Sequence, residues 1–395
     1  MRIALFSDNF YPELSGISDS LISLAEELAA RGHQIHFYVP KYAPEDYSKA
    51  RQPYRELDLG PNVAFTRFAG IPFKTGTGQA HGVIPDGLRH AAVCDFNPDV
   101  IHTQTFYGLG VEALIESRRL RVPLVGTNHT AVREFLRYMP VKSEWTDNLV
   151  LKYVNWYYSQ CVTVTAPSQS VFREMKESGF KKEGIALSNP IATEVFKPLR
   201  DKAALRKKWR VGNSAIIHAG RLANERSIDV MIRALPLVQK EIPEAELVLA
   251  GRGADEQELR GLAESLKVGG SVKFLGFIDQ PHLVEVMNVG KVFAITSTAD
   301  TQSMVMMQAM ACGIPIVGVN ARALPEYINA SNGFVVEPGD AAALARKLIE
   351  VLRNPALRKK LGAGGRKMAV QFSPPAIAER WEEIYKGAIR KFKER

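Results

Sequence analysis

Cysteine is scarce in this 395-residue chain: Cys94, Cys161 and Cys312 are three, odd in number and far apart. That excludes a disulfide framework, gives no zinc-ligand spacing, and fits a reducing compartment such as the cytoplasm. No apolar run approaches the ~20 residues needed to cross a bilayer. The opening Met1-Arg2-Ile3-Ala4-Leu5-Phe6 turns polar at Ser7-Asp8-Asn9, which predicts a strand rather than a secretory leader. The sequence also lacks a Walker loop, the dinucleotide fingerprint Gly-x-Gly-x-x-Gly, and an Asp-x-Asp metal pair. Short repeats and low-complexity segments are missing too.

Acidic residues are in deficit only in the second half. Residues 1–192 carry 20 Lys/Arg and 20 Asp/Glu, and residues 193–395 carry 31 and 22, so the net charge of +9 belongs entirely to the latter. Nucleic acid, an anionic membrane or a phosphorylated ligand could each answer it. The plainer reading is a solvated tail, since Arg390, Lys391, Lys393 and Arg395 end the sequence.

What is present is a steady alternation of short apolar runs with amphipathic helical patterns, the signature of a parallel sheet covered by helices. Ile3–Phe6 reads as a strand and Asn9–Gly16 as a loop. Ser18 reads as an N-cap. Leu21, Ile22, Leu24, Ala25 and Leu28 then share one helical face. Gly32 stops the helix, and Ile35–Val39 is the next strand. Further strands are expected at Val100–His102, Leu124–Thr127 and Cys161–Thr165. A second series follows Pro190–Pro198, with strands at Ala215–Ala219, Glu246–Ala250, Val272–Leu275, Val292–Thr296 and Ile316–Val319. The expected fold is α/β, with two doubly wound domains facing across a cleft. Residues 1–190 form the first and 191–373 the second. Ligands in such sheets bind beyond the carboxyl ends of the strands.

Several polar groups fall at those ends. The loop from Asn9 to Gly16 joins the first strand to the first helix; Gly16 would let a backbone approach a phosphate, although one Gly in a turn is more often structural. Arg221 and Arg226 follow the first strand of the second domain and could converge on a diphosphate, since guanidinium groups stay charged and bind oxygens bidentately. The alternative is a pair of surface arginines. Asp300-Thr301-Gln302-Ser303 follows the strand Val292–Thr296 and would open a helix with free N–H groups. Asp300 and Gln308 are expected near one face, and Met304, Met307, Met310 and Ala311 in the core. His129 follows a strand of the first domain, as a ligand or acid–base candidate. His102 reads as a strand-end packing residue.

Residues 129–160 interleave aromatic and basic side chains: Arg133, Phe135, Arg137, Tyr138, Lys142, Trp145, Lys152, Tyr153, Trp156, Tyr157 and Tyr158. The mixture suits an interfacial helix on anionic lipid; packing of some of these rings in the core is the rival reading.

Taken in order, Phe10-Tyr11-Pro12-x-x-x-Gly16, Gly32-His33, Pro98-Asp99-Val100-Ile101-His102, His129-Thr130, Gly220-Arg221-Leu222, Gly251-x-Gly253, Phe274-Leu275-Gly276-Phe277 and Asp300-x₇-Gln308 before Ala309-Met310-Ala311-Cys312-Gly313 resemble family 4 of the retaining glycosyltransferases, with the GT-B fold. The Asp300-Thr301-Gln302 stretch looks like that of bacterial diacylglycerol glucosyltransferases.

The resemblance implies metal-independent transfer of a hexose from a nucleotide-sugar to an acceptor, with UDP-glucose as first donor and a membrane lipid such as diacylglycerol as first acceptor. It assigns Gly16 to the approach of the diphosphate and Arg221 and Arg226 to its neutralisation. His129 contacts the transferred sugar. Asp300 and the backbone of Thr301, Gln302, Ser303, Met304 and Val305 hold sugar hydroxyls and phosphate. Gln308 holds the ribose, and Phe277 lies by the base. The helix of 374–395 would pack back on the first domain. No cofactor or metal is implied, and the expected place is the cytoplasm or the inner face of the membrane.

Three positions depart from the family pattern: Arg226 replaces its usual Lys, Asp300 its first Glu and Gln308 its second Glu. Alternatives follow from these departures: a non-catalytic relative that binds nucleotide-sugar or lipid, or a mannosyltransferase using GDP-mannose. A nucleic-acid binder has only the basic balance to recommend it and no recognition motif.

Overall fold

The computed structural model describes residues 1–13, 15–72, 81–130, 132, 136 and 143–394. The chain divides into two compact units, Met1–Pro190 with Pro374–Arg395, and Ile191–Ser373.

In the first unit the strands are β1 (Arg2–Phe6), β2 (Gln34–Pro40), β3 (Val63–Phe68), β4 (Ile71–Pro72), β5 (His81–Gly82), β6 (Val100–Thr103), β7 (Leu124–Thr127), β8 (Thr163–Ala166) and β9 (Ile185–Ala186). Among the described residues seven of them form one sheet in the order β3-β2-β1-β6-β7-β8-β9, every neighbouring pair parallel. The antiparallel pair β4–β5 stands apart. β6, β7 and β8 are buried along their whole length, which explains apolar runs rather than alternation.

The helix Gly16–Ala30 covers the sheet with Leu21, Leu24, Ala25 and Leu28, as their spacing dictates. Its cap is Ser15, not Ser18. Ser15 has extended backbone, so its hydroxyl can turn back and accept from Ser18 N–H at 3.1 Å, whereas Ser18 already lies inside the helix.

The helix Pro374–Lys393 belongs to this unit. It buries Ile377, Ala378, Trp381, Tyr385 and Ala388 and packs on Gly16–Ala30, β6 and β7. Glu382 meets His33 at 3.0 Å.

The second unit repeats the plan with β10 (Ala215–Ala219), β11 (Glu246–Ala250), β12 (Val272–Gly276), β13 (Val292–Ile295), β14 (Ile316–Val319) and β15 (Gly333–Val336). Its order is β12-β11-β10-β13-β14-β15, again parallel throughout. In each unit the strand order reverses beside the first strand, between β1 and β6 and between β10 and β13. Loops leave those two strands in opposite directions and open a crevice at their carboxyl ends.

Two sequence expectations shift. The strand expected from Cys161 begins at Thr163, because Cys161 closes the helix Glu144–Gln160 and its side chain is buried. β3, β9 and β15 were not anticipated. They lie at or near sheet edges: β9 is two residues long, and β3 and β15, although they carry short apolar runs, are only partly buried. No helix among the described residues is long and apolar enough to cross a membrane.

Candidate functional site

In the second unit, polar side chains gather where β10 and β13 end. The turn after β10 is held by close backbone packing. Gly220 N–H donates to Ala250 C=O at 2.9 Å, and Leu222 N–H to Arg252 C=O at 2.9 Å. A Cβ on Gly251 would stand 1.8 Å from the Gly220 carbonyl oxygen, and one on Gly253 1.8 Å from that of Leu222. These glycines therefore let one loop lie against the other and fix where Arg221 leaves the chain.

Arg221 pairs with the largely buried Glu225 one helical turn on. Arg226, in the short 3-10 turn Asn224–Arg226, reaches across to β13 and bonds Asp300 Oδ1 at 2.5 Å and Ser297 Oγ at 3.3 Å. The Thr296 hydroxyl donates to the Arg226 carbonyl at 2.9 Å, and Thr298 N–H to that of Glu225 at 3.1 Å, so the two strand ends are tied together.

Asp300 is 8% exposed, and its Oδ2 is buried without a hydrogen-bond donor. Ser303 caps the helix Met304–Ala311, its hydroxyl accepting from Met306 N–H at 3.4 Å. Asp300 thus sits in the loop before this helix rather than on its face with Gln308. Gln308 is 7% exposed and likewise holds a buried oxygen, Oε1, with no donor. A buried acceptor without a donor costs about 1–3 kcal/mol. Two such oxygens, one on a carboxylate that meets the Arg226 guanidinium just before a helix start and the other on that helix, are chemically suited to a ligand that brings hydroxyl donors. Met306, Met307 and Met310 are fully buried, as core, while Met304 and Val305 are half-buried. Thr301 and Phe277 are half-buried, Phe277 directly after β12; Gln302 is buried.

In the first unit the switch point carries a hydrogen-bonded row. His129 Nε2 lies 2.8 Å from Gln104 Oε1, Gln104 Nε2 3.0 Å from His102 Nε2, and His102 Nδ1 2.8 Å from the Tyr385 hydroxyl. With Gln104 in this orientation, His129 donates from Nε2 and His102 from Nδ1. Desolvation pushes the His129 pKa down to about 4 and that of His102 to about 3, so both rings are neutral at pH 7. His102 is thus more than packing: it lies against the Trp381 ring at a tilt of 38° and, through Gln104, links His129 to the last helix. Gly16 opens the helix Gly16–Ala30 just beyond β1.

Four groups escaped the sequence reading. Glu225 was visible in principle, four residues after Arg221. Gln104 was visible as the first residue past β6. His218 is buried on β10, its Nδ1 3.0 Å from Ala294 C=O, and desolvation lowers its pKa to about 4. Asp8, just after β1, accepts from the Thr105 hydroxyl at 2.6 Å and from Leu109 N–H at 3.0 Å, and burial raises its pKa to about 6.

Of the aromatic and basic stretch, Arg133, Phe135, Arg137, Tyr138 and Lys142 lie outside the described residues. The rest splits by helix face. Tyr157 and Tyr158 are buried, while Trp145 is 73%, Leu149 52% and Trp156 49% exposed, with Tyr153 at 36%.

Two units, each built on a parallel, doubly wound sheet, are the architecture of the GT-B class of glycosyltransferases. Family comparison agrees. Residues 14–195 match the model for Glycosyltransferase Family 4, and residues 201–368 that for Glycosyl transferases group 1. The chain belongs to the family 4 glycosyltransferases.

Among curated relatives it is 26% identical over 327 residues to the alpha-monoglucosyldiacylglycerol synthase of Streptococcus pneumoniae, covering 80% of this chain and 70% of that protein. It is 24% identical over 408 residues to the enzyme of the same name from Acholeplasma laidlawii, covering 99% and 98%. Among solved structures, Anabaena Alr3699/HepE in complex with UDP superimposes with a TM-score of 0.77 at 22% identity, covering 98% of this chain and 100% of that one.

Proposed function

We propose that this glycosyltransferase moves glucose from UDP-glucose to the hydroxyl of a membrane lipid of the diacylglycerol type, with retention of configuration and without a metal. The observation that carries the reading is the joining of Arg226 to Asp300, whose Oδ2 is buried without a donor, as is Oε1 of Gln308 in the helix that follows. Asp300 Oδ2 would take a hydrogen bond from a sugar hydroxyl and Gln308 Oε1 one from the ribose. The N–H groups from Thr301 to Val305 would face phosphate. Arg221 and Arg226 would meet the charge that grows on the diphosphate as the sugar C1–O bond breaks. The acceptor oxygen would bond to C1 on the same face, and its proton would pass to the departing phosphate oxygen. Arginine charge would serve here where other transferases use a cation. Asp300 is one methylene shorter than the family's Glu, and the Arg226 guanidinium reaches it directly. A neutral His129 suits hydrogen bonding to a sugar hydroxyl without adding charge, and Gly16 suits a close approach of phosphate.

Radiolabelled UDP-glucose with diacylglycerol vesicles should give an α-linked glycolipid at a rate unchanged by EDTA. Transfer from GDP-mannose alone would overturn the donor assignment. Absence of transfer across UDP, GDP and ADP sugars and both lipid and saccharide acceptors would leave a binding protein instead.

Names of the two synthases above support a lipid acceptor, and the exposed stripe of Trp145, Leu149, Tyr153 and Trp156 with Lys152 supports an anionic membrane surface as partner. Trp145→Ala/Trp156→Ala is expected to weaken binding to phosphatidylglycerol vesicles tenfold or more, since each buried indole contributes about 1.5–3 kcal/mol. Vesicle cosedimentation reads this, and unchanged partitioning would remove the helix from the membrane.

A further inference from the structure

The basic excess of the second half is not only a tail. Lys202, Arg206, Lys291, Arg358 and Lys359 line one cavity of about 190 Å³ in the second unit. Its position is remote from the donor residues. Gly290 and Lys291 lead into β13 and Gly313–Pro315 into β14, so the cavity lies at the amino ends of these strands, whereas Arg226, Asp300 and Ser303 lie beyond carboxyl ends.

None of the five cations has a carboxylate within ion-pair distance among the described residues. Asp201, the acid next to Lys202, is exposed and instead caps its helix by accepting from Ala204 N–H at 2.9 Å. Four of the five are half-buried. Lys202 opens the helix Lys202–Trp209, and Arg358 and Lys359 fall in the first turns of Pro355–Val370. Cations there oppose the positive end of each helix. Burial and then the neighbouring Arg358, Arg206 and Lys202 push the Lys291 pKa down; burial and Arg206 act on Lys202 in the same direction. So many like charges crowded together without an acid disfavour the empty state and select for an anion.

We infer that this cavity is a second anion site, separate from the donor site, which takes a phosphate or diphosphate group. The Arg206 fork suits phosphoryl oxygens; Arg358 spends Nη1 on the Val351 and Leu352 carbonyls and keeps its other donors, and the lysines add point charge. The volume is below the ~300–1,000 Å³ of ordinary small-molecule clefts, which favours a phosphoryl group over a whole nucleotide. The group could be free or carried on a lipid headgroup. The helix Met304–Ala311 has Ser303 of the donor region at its start and Gly313 of this cavity just past its end, so one rigid element touches both places.

Calorimetric titration of the full chain with inorganic pyrophosphate, in the presence of saturating UDP, tests the assignment. Wild type should still bind, and Arg206→Ser/Lys291→Ser should weaken binding tenfold or more. The same variant should melt no lower than wild type in phosphate-free buffer, because repulsion is relieved, and should lose the upward Tm shift that pyrophosphate gives wild type. Competition by dihexanoyl phosphatidylglycerol below its micelle concentration would identify a headgroup ligand, and its absence a free one; both support the site. Abolition of pyrophosphate binding by UDP, or equal binding by the variant, would overturn it.

Discussion

Arg226→Ala is expected to lower sugar transfer 10²–10³-fold, the scale seen when one donor that stabilises transition-state charge is removed. Arg226 holds Asp300, so on the proposed function its loss removes both a cation at the diphosphate and the orientation of the carboxylate proposed to take the sugar hydroxyl. Stability should fall as well. Asp300 would remain as a buried carboxylate without its partner, which costs about 3–5 kcal/mol.

The two effects separate in a double variant. Arg226→Ala/Asp300→Asn should recover most of the stability, since the buried group is then neutral, but none of the activity. Arg226→Lys should keep the charge and retain activity within about tenfold, with looser geometry than the planar fork. Initial rates together with thermal melting distinguish these cases. Transfer by Arg226→Ala within threefold of wild type would refute the role given to this side chain.

A large loss of stability is expected between pH 6.5 and 4.5. Burial depresses His102 to about 3 and His129 and His218 to about 4 in the folded chain. The unfolded chain takes up these protons near pH 6.5 and the folded chain does not, so stability present above pH 6.5 is lost as pH falls. Each ring contributes about 2.5 kcal/mol to that loss by pH 4.5. Asp8 and Asp19 act in the opposite sense. Burial raises both to about 6, so the folded state gains protons first and is favoured as pH falls from 6 toward 4, by about 2 kcal/mol each. Three histidines outweigh two carboxyls.

Urea midpoints across this range should therefore decline on acidification. His218→Asn should flatten the decline and Asp8→Asn should steepen it. Parallel curves for wild type and His218→Asn would show that the ring is not held neutral.

Much of the architecture was legible because parallel strands buried on both faces must be continuous apolar runs. β7, β10, β11 and β14 have the limits their sequence suggests. The short strand β9 was not legible because two residues leave no run, and β3 and β15 were passed over because runs as short as Val63-Ala64-Phe65 and Phe334-Val335-Val336 become strands only through pairing at a sheet edge. The cap moved from Ser18 to Ser15 for a local reason, the extended backbone of Ser15, which two neighbouring serines do not reveal in composition.

The candidate donor residues were found by rule, since the loops after β10 and β13 are where such sheets expose polar groups. What those residues bond to was not. Arg226 and Asp300 are far apart in sequence, and only the reversal of strand order brings them together. Gln104, His102 and Tyr385 form one row only because the last helix returns to the first sheet.

The sequence by itself determined that there are two wound sheets, the limits of most of their central strands, and the set of residues beyond those strand ends. Local periodicity and turn chemistry are written residue by residue, so they survive without coordinates. Tertiary structure alone decided which charges are paired, which acceptors are buried without donors, and which cations crowd a cavity with no acid beside them. Those are properties of neighbours in space, and neighbours distant along a chain are set by packing rather than by order.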